Sequence, residues 1–370
     1  MPVHPQGRIC AETIQEDREA FILADKLGYS EAFCGEHLTD AVENIPSSLM
    51  FVASLADSTK TITLGSAVAN LPHSHPVLIA SHAAMVDHLL RGRFILGIGA
   101  GILRSDAEVL GILEQDRTAM LMESIEHIVA LWQGSAPYNL TGKYWNISTA
   151  KTQWREIGLG GVLAPYQRPH PPLLGTASDP NSQTMTRIGM KGWLPTSSGF
   201  LHLNWLKNHW RNYSNGCASE SRVPVFANWR IARSIFVAND DKVAEAYGRR
   251  DSHSPYRFHM KQLSTKLAKS PAGLRGFKAD ESMRDEDVTL DYIMDNIVIA
   301  GSPNSVVDQI LAMHEKTGDF GTLLCVGTDW TDKDLARASM TLMAEKVMPA
   351  VNAALPRQTA RRAIAGQQAN

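Results

Sequence analysis

Short apolar segments alternate with helical ones almost without a break along this chain, and that alternation calls for a parallel sheet with helical crossovers. Seven strands are predicted, ending near Cys34, Val68, Gly99, Gly175, Pro195, Val237 and Val326. A closed barrel needs eight. The strand that is missing is the one that should precede the first helix, because the chain opens on a loop-like Pro-Val-His-Pro segment and passes straight into the helical spacing of Ile14, Ala20, Phe21, Ala24 and Leu27. Gly28 ends that helix as a C′ residue.

Chemistry in such folds sits where strands open into loops. The first predicted strand opens into Cys34-Gly35-Glu36-His37-Leu38-Thr39-Asp40, followed by Glu43-Asn44-Ile45-Pro46. A histidine beside a glutamate at a strand end either serves a reaction or bonds a backbone carbonyl. A second strand end carries Gly97-Ile98-Gly99-Ala100-Gly101. With Ile102 in the sixth position it departs from the dinucleotide-binding pattern, so the glycines either let a planar ligand approach the backbone or make a purely structural turn. Ser178, Asn181 and Ser182 fall at a helix start just after a strand, which suits a phosphate or ordinary capping equally. His73 and His75 lack a third ligand at metal spacing and read as structural or pocket-lining.

The formal net charge of -2 argues against a nucleic-acid partner, which needs a basic face. A small molecule is the expected ligand. No apolar run reaches the ~18 residues of a membrane span, and Met1 to Arg8 has no signal-peptide core, so the expected location is the cytoplasm. Cys10, Cys34, Cys217 and Cys325 are scattered without a CxxC pair, as reduced thiols are. From Asp251 to Asp287 no sustained periodicity is evident, and 251–287 is read as a lid or mobile insertion with helical pieces. Residues 355–370 form a polar tail.

Taken in order, Glu36-His37, Asn44-Ile45-Pro46, Leu71-Pro72-x-x-His75-Pro76, Gly92-Arg93-Phe94-x-x-Gly97-x-Gly99, Pro169-His170-Pro171-Pro172, Ala177-Ser178 and Gly301-Ser302-Pro303 resemble the bacterial luciferase-like flavin monooxygenases. Glu43-Asn44-Ile45-Pro46 and Gly142-Lys143-Tyr144-Trp145 resemble in particular the branch of limonene monooxygenase-like and diketocamphane-type enzymes. The resemblance implies a single α/β domain over 1–354, a TIM (β/α)8 barrel of the luciferase-like type without its first strand. It also implies reduced FMN delivered by a separate flavin reductase, O2, and a hydrophobic small-molecule substrate that is hydroxylated or undergoes Baeyer–Villiger oxidation. Relatives are commonly homodimers.

Residue by residue, His37 matches the active-site histidine beside the flavin ring. Glu36 accompanies it, and Ala67-Val68 falls where relatives carry a non-proline cis peptide. Gly99 and Ala100 match the strand end that leaves room for the ring, and Ser178, Asn181 and Ser182 match the phosphate-binding helix start. Leu38 and Ala100 depart from luciferase, which has a histidine and an arginine there. Two other readings share the fold: a deazaflavin (F420)-dependent oxidoreductase, and a non-catalytic flavin-binding barrel.

Overall fold

The computed structural model describes residues 2–270 and 273–355, so the tail 356–370 lies outside the described residues. In chain order the elements are α1 (Cys10–Lys26), β1 (Glu31–Cys34), α2 (Ser48–Ala53), β2 (Thr63–Ser66), β3 (Ala69–Asn70), α3 (Pro76–Leu89), β4 (Phe94–Gly99), α4 (Arg104–Val109) and α5 (Arg117–Gln133). There follow β5 (Asn139–Thr141), β6 (Asn146–Ser148), β7 (Leu173–Ala177), α6 (Gln183–Lys191), β8 (Leu194–Ser197), α7 (Leu206–Ser219), β9 (Arg230–Val237), α8 (Asp241–Glu245) and α9 (Pro255–Ala268). The last are α10 (Leu290–Ile297), β10 (Val298–Gly301), α11 (Pro303–Thr317), β11 (Thr322–Cys325), α12 (Lys333–Leu342) and α13 (Met348–Ala354). Among the described residues no strand precedes α1. By its contacts the chain forms two compact units, residues 30–174 and residues 1–29 with 175–370.

In the unit of residues 30–174, β1, β2 and β4 lie side by side in parallel, and β3 continues the pairing along the end of β4. Leu64, Phe94 and Leu96 are buried to 1% exposure or less, as expected of strands covered on both faces. Ser47 caps α2, and the ring of His75 caps α3, whose first residue is Pro76, where a missing N–H costs nothing. The α3 helix buries Ala80, Ala83 and Ala84, and Trp132 of α5 donates its indole N–H to the Ala80 carbonyl at 3.1 Å. The stretch 105–132, whose sequence reads as a long helix interrupted near Gly111, is two helices: Gly111 between them takes φ +70°, and Asp116 is the N-cap of α5. The turn-rich stretch after it contains the antiparallel hairpin β5–β6.

In the other unit β7, β8 and β9 run in order, and β9 serves two further parallel neighbours in succession. Its first half, Arg230 to Arg233, pairs with β11, and its second half, Ser234 to Val237, pairs with β10. The four residues of β10 were not expected as a strand. Ser302 stands at the N-cap of α11 but makes no side-chain capping bond; its N–H instead donates to Asp241 at 2.6 Å. Within 251–287, read from sequence as a lid or mobile insertion with helical pieces, the structure has such pieces. There Ser254 caps the 14-residue α9, and Tyr256, Met260 and Leu267 are buried with Phe236, Phe277, Ile293 and Met294 in one apolar cluster.

A buried charge network ties α1 to the segment after β11. His4, 2% exposed, meets Asp329 at 2.6 Å through Nδ1 and Asp17 at 3.2 Å through Nε2. Arg8 donates to both oxygens of Asp329 and also pairs with Glu16. Burial opposes a charge on His4, yet the bonds to Asp17 and Asp329 and their negative charge raise it from 6.5 to about 9. Burial pushes Asp17 up, whereas Asp329 is held low, against its own burial, by His4, Thr331 and Arg8. Asp329 is therefore the carboxylate that fixes the proton on His4.

A group raised on folding stabilises fully below its unfolded value, and that contribution drains away as pH rises through the folded value. His4→Gln is expected to cost about 3 kcal/mol in denaturant unfolding at pH 6, the usual loss when a buried pair is broken. The gap between wild type and variant should close between pH 6.5 and about 9. A gap that is unchanged at pH 10 would contradict the assignment.

Candidate functional site

The site in the unit of residues 30–174 is built at the ends of β1, β3 and β4. Just past β1 the chain turns into a loop, and Glu36 braces it. Its Oε2 accepts from the Ser48 N–H at 2.9 Å and the Ser48 hydroxyl at 2.7 Å, and its Oε1 accepts from the Asn70 N–H at 2.7 Å. Both oxygens of Glu36 are thus engaged by donors of the same unit, and the carboxylate joins β1, α2 and β3.

His37 comes next. Its N–H donates to the Ile45 carbonyl at 3.0 Å, and its imidazole lies between two carboxylates, with Nδ1 3.3 Å from Asp106 Oδ2 and Nε2 3.4 Å from Glu43 Oε2. The ring is 19% exposed, Glu43 17% and Asp106 1%. Asp106 sits in the first turn of α4. Its Oδ1 accepts from the Leu38 N–H, the Thr39 N–H and the Thr39 hydroxyl, at 3.2, 2.8 and 2.6 Å. Burial alone would raise this carboxyl, but the Thr39 donors and His37 hold it below the usual carboxylate range, so it stays ionised at neutral pH.

The peptide between Ala67 and Val68 is cis, the state implied by the resemblance. Ala67 donates its N–H to the Cys34 carbonyl at 2.7 Å. The glycines of β4 have separate reasons. A Cβ on Gly97 would sit 1.9 Å from the Ser66 carbonyl oxygen, so this residue is needed where β2 and β4 come close. A Cβ on Gly99 would sit 2.3 Å from the Val68 side chain. Gly101 takes φ +77°, its carbonyl accepts from Arg117 of α5 at 2.8 Å, and His73 packs against it. Nε2 of His73 is buried without a hydrogen-bond partner among the described residues. Burial pushes His73 down, only partly offset by Asp106 and Glu36, so the ring is neutral at pH 7.

Ser178, Asn181 and Ser182 belong to the other unit, at the start of α6. Ser182 is the N-cap and accepts from the Thr184 N–H at 3.2 Å. Asn181 donates to Glu281 at 2.9 Å and accepts from Asn208 at 3.1 Å. Asp179 meets Arg275 at 3.0 Å. Capping is thus realised at Ser182.

The sequence reading missed Asp106 and the part played by Glu43. Glu43 stood in plain view in the Glu43-Asn44-Ile45-Pro46 motif. Asp106 offered one faint signal, an acid beside Ala107 on the face that α4 buries, where an ionised side chain needs partners.

A family model described as luciferase-like monooxygenase matches residues 1–319. The chain is 30% identical over 380 residues to the 4-hydroxyprotoasukamycin monooxygenase of Streptomyces nodosus subsp. asukaensis, covering 100% of this chain and 95% of that one. It is 30% identical over 341 residues to the limonene 1,2-monooxygenase of Rhodococcus erythropolis, with 92% and 82% covered. Among solved structures, the oxygenating constituent of 3,6-diketocamphane monooxygenase from Pseudomonas putida, a type II Baeyer–Villiger monooxygenase in complex with FMN, matches with a TM-score of 0.85 at 27% identity. That match covers 94% of this chain and 96% of the other.

Gly97→Ala is expected to lose about 3 kcal/mol of stability, because the clash is with backbone of the neighbouring strand and cannot be relieved by a rotamer change. Thermal unfolding measures it. A melting temperature within 2 °C or so of wild type would show that β2 and β4 can part freely.

Proposed function

We propose that this chain, which belongs to the luciferase-like monooxygenase family, is the oxygenase of a two-component system. It uses reduced FMN and O2 to hydroxylate a hydrophobic small molecule or to insert oxygen by Baeyer–Villiger oxidation. The fold is that of the luciferase-like TIM barrel. The observation that carries the reading is His37, held at the end of β1 between Asp106 and Glu43, in a chain matching flavin-dependent oxygenases over almost its whole length.

The residues present fit a flavin ring. Beside His37, the loop Gly99-Ala100-Gly101 is clamped by Arg117, and the buried Nε2 of His73 has no hydrogen-bond partner among the described residues. Ala67, Val68, Gly99 and Ala100 would hold the ring, with Glu36 fixing the loop that carries His37. Taken by itself in the other unit, the start of α6 with Ser178, Asn181 and Ser182 is of the kind that takes a phosphate. When bound, reduced FMN supplies the electrons that activate O2. The part of the chain is to position and to move protons: Asp106 keeps a proton on Nδ1 of His37, so Nε2 is the atom that exchanges a proton with the reacting oxygen.

A separate flavin reductase supplies the reduced cofactor in this reading, in keeping with a structural relative that is the oxygenating constituent of its system. The chain works in the cytoplasm, where its four unbridged cysteines stay reduced. It acts as a homodimer. The solvent side of α3 exposes Leu78, Met85 and Leu89 at 50%, 56% and 45% and carries no Lys, Arg, Asp or Glu, its Asp87 being buried. The same face also exposes His82 and His88, and exposed apolar side chains grouped on one helix face mark interfaces.

Two measurements test this. In an anaerobic titration the protein should bind reduced FMN in preference to reduced F420. On admitting air, the rate at which bound flavin is oxidised should change by roughly 100-fold or more in His37→Ala, the scale of a positioned proton donor. Preference for F420 would replace the reading by hydride transfer, and tight flavin binding with no turnover by a non-catalytic barrel. For the assembly, light scattering should give a dimer for wild type and a monomer for Met85→Lys; a monomeric wild type would end the dimer proposal.

A further inference from the structure

The imidazole of His37 faces an acceptor on each side. Asp106 Oδ2 stands 3.3 Å from Nδ1, and Asp106 is ionised, so Nδ1 carries a proton and donates it. That leaves Nε2, 3.4 Å from Glu43 Oε2. If Nε2 were bare and Glu43 ionised, a ring lone pair and a carboxylate oxygen would confront each other at less than 4 Å with nothing between them. The arrangement is attractive only if one proton occupies that gap, either on the ring as an imidazolium between two carboxylates or on Glu43 as a neutral acid.

We propose that Glu43 is the proton partner of His37: the pair holds one dissociable proton between Nε2 and Oε2, and Asp106 acts as the positioning residue that fixes the ring and its tautomer. This rests on the reading of His37 as the residue that exchanges a proton with the reacting oxygen. In use, the proton leaves Nε2 for that oxygen, His37 becomes neutral with Nδ1–H still on Asp106, and Glu43 is left ionised. Water then reloads the pair, which both partners' partial exposure permits. No electron is transferred by either residue.

The other charged or titratable groups around the ring do not supply this proton. Asp106 of α4 is locked by Leu38 and Thr39. Glu36 is committed to Ser48 and Asn70. His73, which follows β3, is neutral, and Arg117 of α5 is bound to the Gly101 carbonyl. Glu43 lies on the loop after β1, and among the described residues its Oε2 is the carboxylate oxygen paired with Nε2, at 3.4 Å.

The test is an NMR titration of the His37 ring nitrogens in the flavin-free chain labelled with 15N-histidine, with the signal among 13 histidines assigned by its loss in His37→Gln. Removing a carboxylate that faces an imidazolium at this distance near solvent should lower the midpoint by about one pH unit in Glu43→Gln, with Glu43→Asp in between. Asp106→Asn should leave the neutral ring without its preference for a proton on Nδ1. An unchanged midpoint in both Glu43 variants, with folding verified by their spectra, overturns the proposal. Because no flavin is present, the titration stands apart from the assigned reaction. A shifted midpoint with no matching shift in the pH profile of flavin oxidation would keep the proton pair and reject His37 as the residue that serves the reacting oxygen.

Discussion

One buried carboxylate organises the site. Asp106 is almost wholly withdrawn from water, and leaving an ion there is tolerable only because three donors from Leu38 and Thr39 converge on one of its oxygens. Those donors lie on the loop after β1, so the interaction that solvates the charge also fastens that loop to the first turn of α4. The second oxygen is left for His37. A hydrogen-bond requirement of the core therefore sets the orientation of the ring, and the flanking contacts follow from it: Glu36 tying α2 and β3 to the same loop, and Glu43 brought opposite Nε2.

This explains which parts were legible in the sequence. The seven expected strands are all present, because each is a run of apolar residues bounded by turn residues and that signal is local. The positions of His37 just past β1 and of Gly97 and Gly99 at the end of β4 follow from the strand pattern, and the cis Ala67–Val68 peptide from family resemblance. Asp106 could not be placed so, since its role depends on a loop 67 residues earlier in the chain. Two further regions were less sharply legible for other causes. In α9 the spacing of Tyr256, Met260, Leu263 and Leu267 is helical, and Ser254-Pro255 is a proper helix start, but intervening Lys, His and Ser residues obscure the stripe. In β10, four residues squeezed between two helices leave no room for a periodic pattern.

Glycine illustrates the same limit in a finer way. Gly97, Gly99 and Gly101 look like one motif in sequence, yet the structure gives them three different reasons. Gly97 permits two strands to approach, Gly99 makes room for Val68, and Gly101 supplies a left-handed turn against His73. Only the spacing of a strand that ends in a loop unites them. Reading such a run as a single ligand-binding device would assign to function what packing already requires at Gly97.

The divided pairing of β9 has a consequence of its own. Because β11 uses only Arg230 to Arg233 and β10 only Ser234 to Val237, the hydrogen bonds that complete the sheet at β11 do not depend on the excursion carrying α8, α9 and α10. The excursion packs against the second half of β9 through Phe236, while the register of β9 against β11 is set by the first half alone. A single eight-residue strand thus carries two parallel partners in succession, each paired through its own half.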